Sequence, residues 1–318
     1  MSAFERALIL LAISYAFGFA VWPILRPTSV PLAADALMLC SVLLTGWLAR
    51  DFSAPVRAVI IISSLILLLR VHSYASSPLR GGLLDYAHFL SLGLATPHLL
   101  YSAGRTPSVS GIPTTRQVLR FAIALLSIPF IWKGATFLIT SPLSAHSWLF
   151  NQLILALAFV LIMTAFGQCA TVAWQLQGSS TKPLVDHIFL ARTPAEFWRR
   201  WSWPMHQWLY RHVYLPAGGK LHHVRATLLV FFVSGLLHEL IAAFAIGRVT
   251  GHQMLFFMLS AVGVLLSPAL EKLQQHGLFG QTLGRVFTLS FLVATSAFMF
   301  ATIHYIFPVY NKHIWLLW

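Results

Sequence analysis

The sequence predicts an all-α, polytopic integral membrane protein of about eight or nine transmembrane helices. Three observations predict it. Of the 318 residues, 58% are hydrophobic and only 9% are charged, whereas soluble domains carry roughly 25% charged residues. The mean hydropathy is +0.77. The apolar residues also gather into repeated runs near the roughly 20 residues that a spanning helix needs. The 24 Phe and 11 Trp suit lipid-facing and interfacial surfaces.

The spans follow in order, with no internal repeat, low-complexity tract or linker, so one membrane-embedded domain over residues 1–318 is expected. Residues 7–25 form the first run, with Pro23 and Pro27 at its end. No small-residue cleavage site accompanies it, so it reads as a retained helix rather than a leader. Residues 32–49 follow, then a short turn holding Arg50, Asp51 and Arg57. Residues 55–71 make the third span. Residues 83–103 are apolar but interrupted by Asp85, His88, Pro97 and His98. Polar groups at that depth face protein or water, so this run is an inner span or a re-entrant segment. Residues 104–120 carry Arg105, Arg116 and Arg120 without an acid and read as a loop, which the positive-inside rule puts in the cytoplasm. Residues 121–140 and 148–174 are spans, the second with Trp at both ends as interfacial anchors. Residues 178–220 are aromatic and basic. Residues 224–246, 253–270 and 286–307 complete the spans, with a polar turn at 271–281.

Charge narrows the function. There are 21 Lys and Arg against 8 Asp and Glu, a formal charge of +13. In a membrane chain such an excess marks cytoplasmic loops and contacts with anionic headgroups. It also attracts an anionic substrate such as a phosphate-bearing carrier. The cations are scattered between apolar runs, which argues against nucleic acid as a partner. Cys40 and Cys169 lie in apolar runs and supply neither a disulfide framework nor a metal spacing. No metal site is expected.

The stretch 196–239 holds the candidate chemistry. It reads EFWRRWSWPMHQWLYRHVYLP, a basic loop, then TLLVFFVSGLLHEL. Four of the eleven tryptophans lie between Trp198 and Trp208, and Arg192, Arg199, Arg200, Arg211 and Lys220 accompany them. On composition alone this is equally an interfacial amphipathic helix against anionic lipid. His238 follows about 14 residues inside its span, roughly 20 Å along the helix. An ionisable group at that depth is a functional-site candidate, against the plainer reading of a hydrogen-bonded packing histidine. Ser234 and Gly235 lie one turn earlier, and the glycine is expected to leave room for a substrate. Glu239 points about 100° away from His238. The His-Glu pair lacks the second histidine of a zinc-protease helix, and no G-x-S-x-G elbow or phosphate-binding glycine loop is present.

This stretch resembles the membrane-bound O-acyltransferases, in particular their wax synthase and diacylglycerol/sterol acyltransferase branches. Phe197, Trp198, Trp201, Pro204, His206, Trp208, Arg211, His212, Tyr214 and Pro216 match the first part of the family pattern; Ser234, His238 and Glu239 match the second. The resemblance implies helices around an intramembrane tunnel in which His238 is the general base. It would take a proton from an acceptor hydroxyl that then attacks an acyl-CoA thioester. Acyl-CoA and a lipophilic alcohol would be the partners, with no further cofactor. An imidazole near neutral pH suits that task, and an apolar site keeps it uncharged. Trp198, Arg199, Arg200, Trp201, His206, Arg211, Ser234 and Glu239 are the candidate substrate-binding residues, with Arg199 and Arg200 suited to the CoA phosphates. The family carries Asn or His after Trp201; here it is Ser202, a second catalytic candidate that can still donate a hydrogen bond. The short chain favours the wax-synthase-like branch. The membrane would be the endoplasmic reticulum or a bacterial inner membrane, according to the organism. A lipid or solute transporter, or an inactive lipid-binding member of the same scaffold, are the competing readings.

Overall fold

A computed structural model of the chain describes residues 2–25, 31–78, 80–91, 99–100, 114–142, 147–176, 184–275 and 277–307. Every regular element among them is helical: α1 (Ala3–Ala20), α2 (Trp22–Leu25), α3 (Pro31–Leu48), α4 (Ala54–Ala75), α5 (Leu83–Ser91), α6 (Thr115–Ile139), α7 (Trp148–Leu176), α8 (Pro194–Trp201), α9 (Trp203–Leu209), α10 (His223–Ile246), α11 (His252–Gln274) and α12 (Gly277–Ile306), with a few single-turn segments between them. Eight helices among the described residues are long and apolar enough to cross a membrane, as expected. The chain packs as two compact units. The first is Met1–Thr106, Leu237–Thr250 and Tyr305–Phe307; the second is Pro107–Leu236, Gly251–His304 and Pro308–Trp318.

Three boundaries differ from those the sequence suggests. The arginine-rich loop yields to α6, which begins at Thr115, so Arg116 and Arg120 ride on its first turns. The cause is a capping box: the Gln117 amide donates to Thr114 Oγ1 at 3.4 Å and the Thr114 amide donates to Gln117 Oε1 at 2.8 Å. The polar turn after α11 shrinks because that helix continues through Gln274, carrying Lys272 in a last turn that favours a cation. In the interrupted run, the described part is α5, nine residues long and too short to span. Pro27, Pro97, His98 and Arg105 lie outside the described residues.

In the first unit α1, α3 and α4 pack together. Their seam is polar: the hydroxyls of Ser14 and Ser64 are 2.8 Å apart, those of Thr45 and Ser64 3.2 Å, and all three residues are fully buried. Such small residues let spanning helices approach closely and satisfy one another. Gly46 serves the same end, since a Cβ there would strike the ring of Phe244. Tyr74 and Tyr86 sit edge to face, 4.7 Å between centroids, and donate to the carbonyls of Gly81 and Gly18. Arg70, fully buried on α4, donates to the carbonyls of Phe89 and Leu90 in the last turn of α5. These are carbonyls a helix end leaves without intrahelical donors.

In the second unit α6 lies along α7. Ala135, Ile139, Ile154, Leu155, Ala158 and Phe300 join α6, α7 and α12. Gly263 lets α11 meet α12, because a Cβ there would enter the ring of Phe291. Phe231, Phe256, Phe257 and Ala261 form a further cluster against which Trp198 packs.

Candidate active site

The aromatic and basic stretch folds as two short helices with a break at Ser202. Thr193 caps α8 by accepting from the Glu196 amide at 3.2 Å, and Pro194 takes the first helical position, where its missing N–H costs nothing. Glu196 accepts from the Arg192 amide at 2.8 Å and holds the Arg200 guanidinium by two bonds, 2.6 Å and 3.1 Å. Burial works to raise the Glu196 carboxyl. The Arg192 amide and the Arg200 guanidinium, with charge from Arg199, outweigh it and hold the group below the ordinary carboxylate value. Arg200 is therefore engaged within the helix, while Arg199 and Arg211 are exposed. The start of α8 is tied to α11 through the Ala195 amide on Ser267 Oγ at 3.0 Å.

Ser202 ends α8 and begins α9 in extended backbone, φ −147° and ψ 92°. Its carbonyl accepts from the His206 amide at 2.8 Å, and its half-buried hydroxyl makes no capping bond. Trp203 then starts α9, with Pro204 in its first turn, and the helix runs into a wider turn, Tyr210–Tyr214. That spacing sets His206, Tyr210 and Tyr214 in a stack, with centroids 6.4 Å and 5.4 Å apart. Burial, helped by the charge of Arg199, holds the His206 imidazole below its ordinary value, so it is neutral at pH 7.

The two motif tryptophans are held by other rings. Trp201 stacks on Phe197 and Phe159 at 5.6 Å and 5.8 Å. Trp198 meets Phe231 edge to face at 5.5 Å and leans on Phe256 and Phe257. Its Nε1 is buried with no hydrogen-bond acceptor among the described residues.

Helix α10 carries the second half of the pattern. Leu229 and Leu236 are exposed on one side, as lipid-facing residues are. His238 lies on the other. One turn before it Ser234 is 7% exposed, and one turn after it Ala242 is 2% exposed, yet His238 itself is exposed. An accessible imidazole thus interrupts the buried face of a spanning helix. Glu239 is buried and accepts from the amide and hydroxyl of Thr250, at 2.7 Å and 3.2 Å, which fixes the turn before α11. The expectation for Gly235 is overturned. It leaves no room for substrate, since a Cβ there would meet Met254 Sδ at 2.9 Å and Met254 Cα at 3.2 Å. Its role is to let α11 come close.

A second constellation imitates a hydrolase relay. His72 Nδ1 is 2.8 Å from Asp35 Oδ2, and Ser76 Oγ is 3.4 Å from His72 Nε2. It sits at the C-terminal end of α4, where the amides of Ser76 and Ser77 already donate to His72 and Tyr74 carbonyls. Those amides are not available to an oxyanion, and a helix C-terminus disfavours developing negative charge. The cluster reads as a clamp on the helix end.

Sequence reasoning passed over Glu196. The signal was present: Thr193-Pro-Ala-Glu196 is a helix-start pattern.

Among characterised proteins, the chain is similar to a probable sterol O-acyltransferase 2 of Schizosaccharomyces pombe, 32% identical over 85 residues, or 27% of this chain and 18% of that protein. It is 44% identical over 75 residues to sterol O-acyltransferase 1 of Saccharomyces cerevisiae, covering 23% of this chain and 12% of that protein. It is 43% identical over 54 residues to diacylglycerol O-acyltransferase 1 of Corylus americana, covering 17% and 10%. The chain therefore matches less than a fifth of the length of each of these three relatives. The family pattern itself reaches much further: the sequence profile of the membrane-bound O-acyltransferases matches residues 70–304, most of the described helices, and the chain belongs to the membrane-bound O-acyltransferase family.

Proposed function

We propose that the chain moves an acyl group from acyl-CoA to the hydroxyl of a lipophilic alcohol, in the manner of a wax ester synthase, with His238 as general base. One observation carries this reading: the His238 imidazole is accessible on an otherwise buried face of α10. A packing histidine would be covered there. A base must be reachable by the proton it removes. The O-acyltransferase names of the relatives support the reaction class.

In the proposed step neutral His238 accepts the acceptor's hydroxyl proton as its oxygen bonds to the thioester carbonyl carbon. The tetrahedral intermediate collapses, the carbon–sulfur bond breaks, and the imidazolium returns the proton to the leaving thiolate. Ester and free CoA result, and no acyl-enzyme is needed. Ser202 and neutral His206 are the proposed donors that orient the thioester, since both offer an uncharged N–H or O–H. Arg199 and Arg211, exposed and basic, are the proposed contacts for the CoA phosphates. Arg200 is a weaker candidate because Glu196 holds it.

The test is acyl transfer by membranes containing wild type or His238→Ala, with labelled acetyl-CoA and palmitoyl-CoA and a panel of long-chain alcohols, sterols and diacylglycerols. Labelled ester from wild type alone supports the proposal. Equal ester from both proteins removes His238 from the chemistry. Uptake of solute into proteoliposomes without acyl-CoA, and no ester, would favour the transporter reading instead.

A further inference from the structure

We propose that a groove on the outward side of α10, at its N-terminal end, binds an anionic phospholipid of the surrounding bilayer. The groove has a volume of about 920 Å³ and lies wholly within the second unit. Lys220, His222 and Arg225 line one end. Leu228, Leu229 and Phe232 continue along α10, and Met258 of α11 closes the other side. The groove is thus cationic at one end and apolar along its length, as an anionic lipid is anionic at one end and apolar along its chains.

Position in the membrane agrees with that polarity. The apolar span begins at Gly219, and Lys220 at its start is where a span would meet the headgroups. The wall reaches Phe232, about 14 Å along the helix from His223 at the rise of an α-helix, a depth that belongs to acyl chains. Charge agrees too. No Asp or Glu occurs between Glu196 and Glu239. Among the described residues neither Lys220 nor Arg225 enters an ion pair, and both are exposed. His223 is turned aside to Tyr214 and Thr227, at 3.1 Å and 3.5 Å, so it shapes the rim rather than meeting the headgroup. Leu229 lies on the side of α10 opposite His238, so the groove is not the proposed reaction site. The inference stands whether or not the chain transfers acyl groups.

The experiment is native mass spectrometry of the full chain in detergent, titrated with dioleoylphosphatidylglycerol or dioleoylphosphatidylcholine. Wild type should retain one phosphatidylglycerol in preference to phosphatidylcholine. Removing both cations in the double variant Lys220→Gln/Arg225→Gln should weaken that retention by roughly 25-fold, about fivefold per basic group near a lipid surface. Both substituted side chains are exposed, and a second double variant, Arg116→Gln/Arg120→Gln on α6, should keep wild-type retention. Equal retention of the two lipids would overturn the proposal. So would undiminished binding by the first double variant, or an equal loss in the second, which would mean diffuse charge and no site. Displacement of the phosphatidylglycerol by free CoA would assign the cations to the donor's phosphates and would also overturn it.

Discussion

The stretch from Thr193 to Tyr214 and the buried face of α10 carry the two halves of one sequence pattern, and they differ in which group they leave accessible. In the first, charged and aromatic groups are largely spent on one another: Arg200 on Glu196, Trp201 on Phe197 and Phe159, Trp198 on the Phe231 cluster. On α10 one imidazole is accessible where its neighbours a turn away are covered. A dense run of motif residues is therefore mostly a frame, and an accessible imidazole between covered neighbours is the better candidate for chemistry. Ser202 and Arg199 are the exceptions in the frame, each left without a capping bond or ion pair among the described residues.

The largest expected effect tests that contrast directly. His238→Ala should lower the rate of ester formation at least about 100-fold, the usual contribution of a general base, in a protein that remains folded in detergent. Ser202→Ala, followed in the same assay, should cost less; a greater loss there would invert the comparison. Next in size is a change of packing. Gly235→Leu should destabilise the fold by about 1–3 kcal/mol, read from thermal unfolding in detergent, because the added carbons meet the Met254 backbone. A stable variant with altered substrate preference would restore the idea that Gly235 opens space.

The neighbouring arginines sharpen the contrast further. Arg200→Ala should cost about 1–2 kcal/mol of stability through loss of a charge-assisted, partly buried fork. Arg199→Ala should leave the unfolding midpoint in place and raise the KM for palmitoyl-CoA about fivefold, in line with one cation near phosphate. Exchange of those two outcomes would show that the fork is not structural.

The smallest effect is on acid stability. The folded Glu196 carboxyl titrates below its ordinary value of 4.5. Its contribution is therefore fully present above pH 4.5 and is lost as pH falls through the depressed folded value. His206, also depressed, works at higher pH: the unfolded chain binds its proton more readily, so stability is lost as pH falls below about 6.5. Glu196→Gln should flatten the acid end of a plot of unfolding midpoint against pH, and His206→Gln the limb just below neutrality.

Much of the fold could be read from hydropathy because the bilayer demands long apolar helices and little else of similar length survives there. The boundaries that hydropathy misplaces share a cause. Arg116, Arg120, Glu271 and Lys272 look like loop residues by charge, yet all four sit on helices. The deciding contact at α6 is the short-range bond between Thr114 and Gln117, which hydropathy does not register. In the candidate site, His238 was legible because an ionisable group is costly in a span. The role of Gly235 was not, because a missing side chain looks the same whether it admits a ligand or a neighbouring helix. Glu196 was passed over since its partners, Arg192 and Arg200, gain meaning only once α8 brings them within reach.

Arg70 bears on how the chain is made. Two carbonyls that hold its guanidinium belong to Phe89 and Leu90, which follow it by 19 and 20 residues. When α4 first leaves the ribosome, those acceptors, 19 and 20 residues behind Arg70, are still inside the exit tunnel. Its lateral release into lipid is then best delayed until α5 has emerged, so that the two helices partition together. A chain truncated after Ala75 should insert α4 less efficiently than one continued through Ser91, and Arg70→Leu should erase the difference, as measured by glycosylation mapping in microsomes.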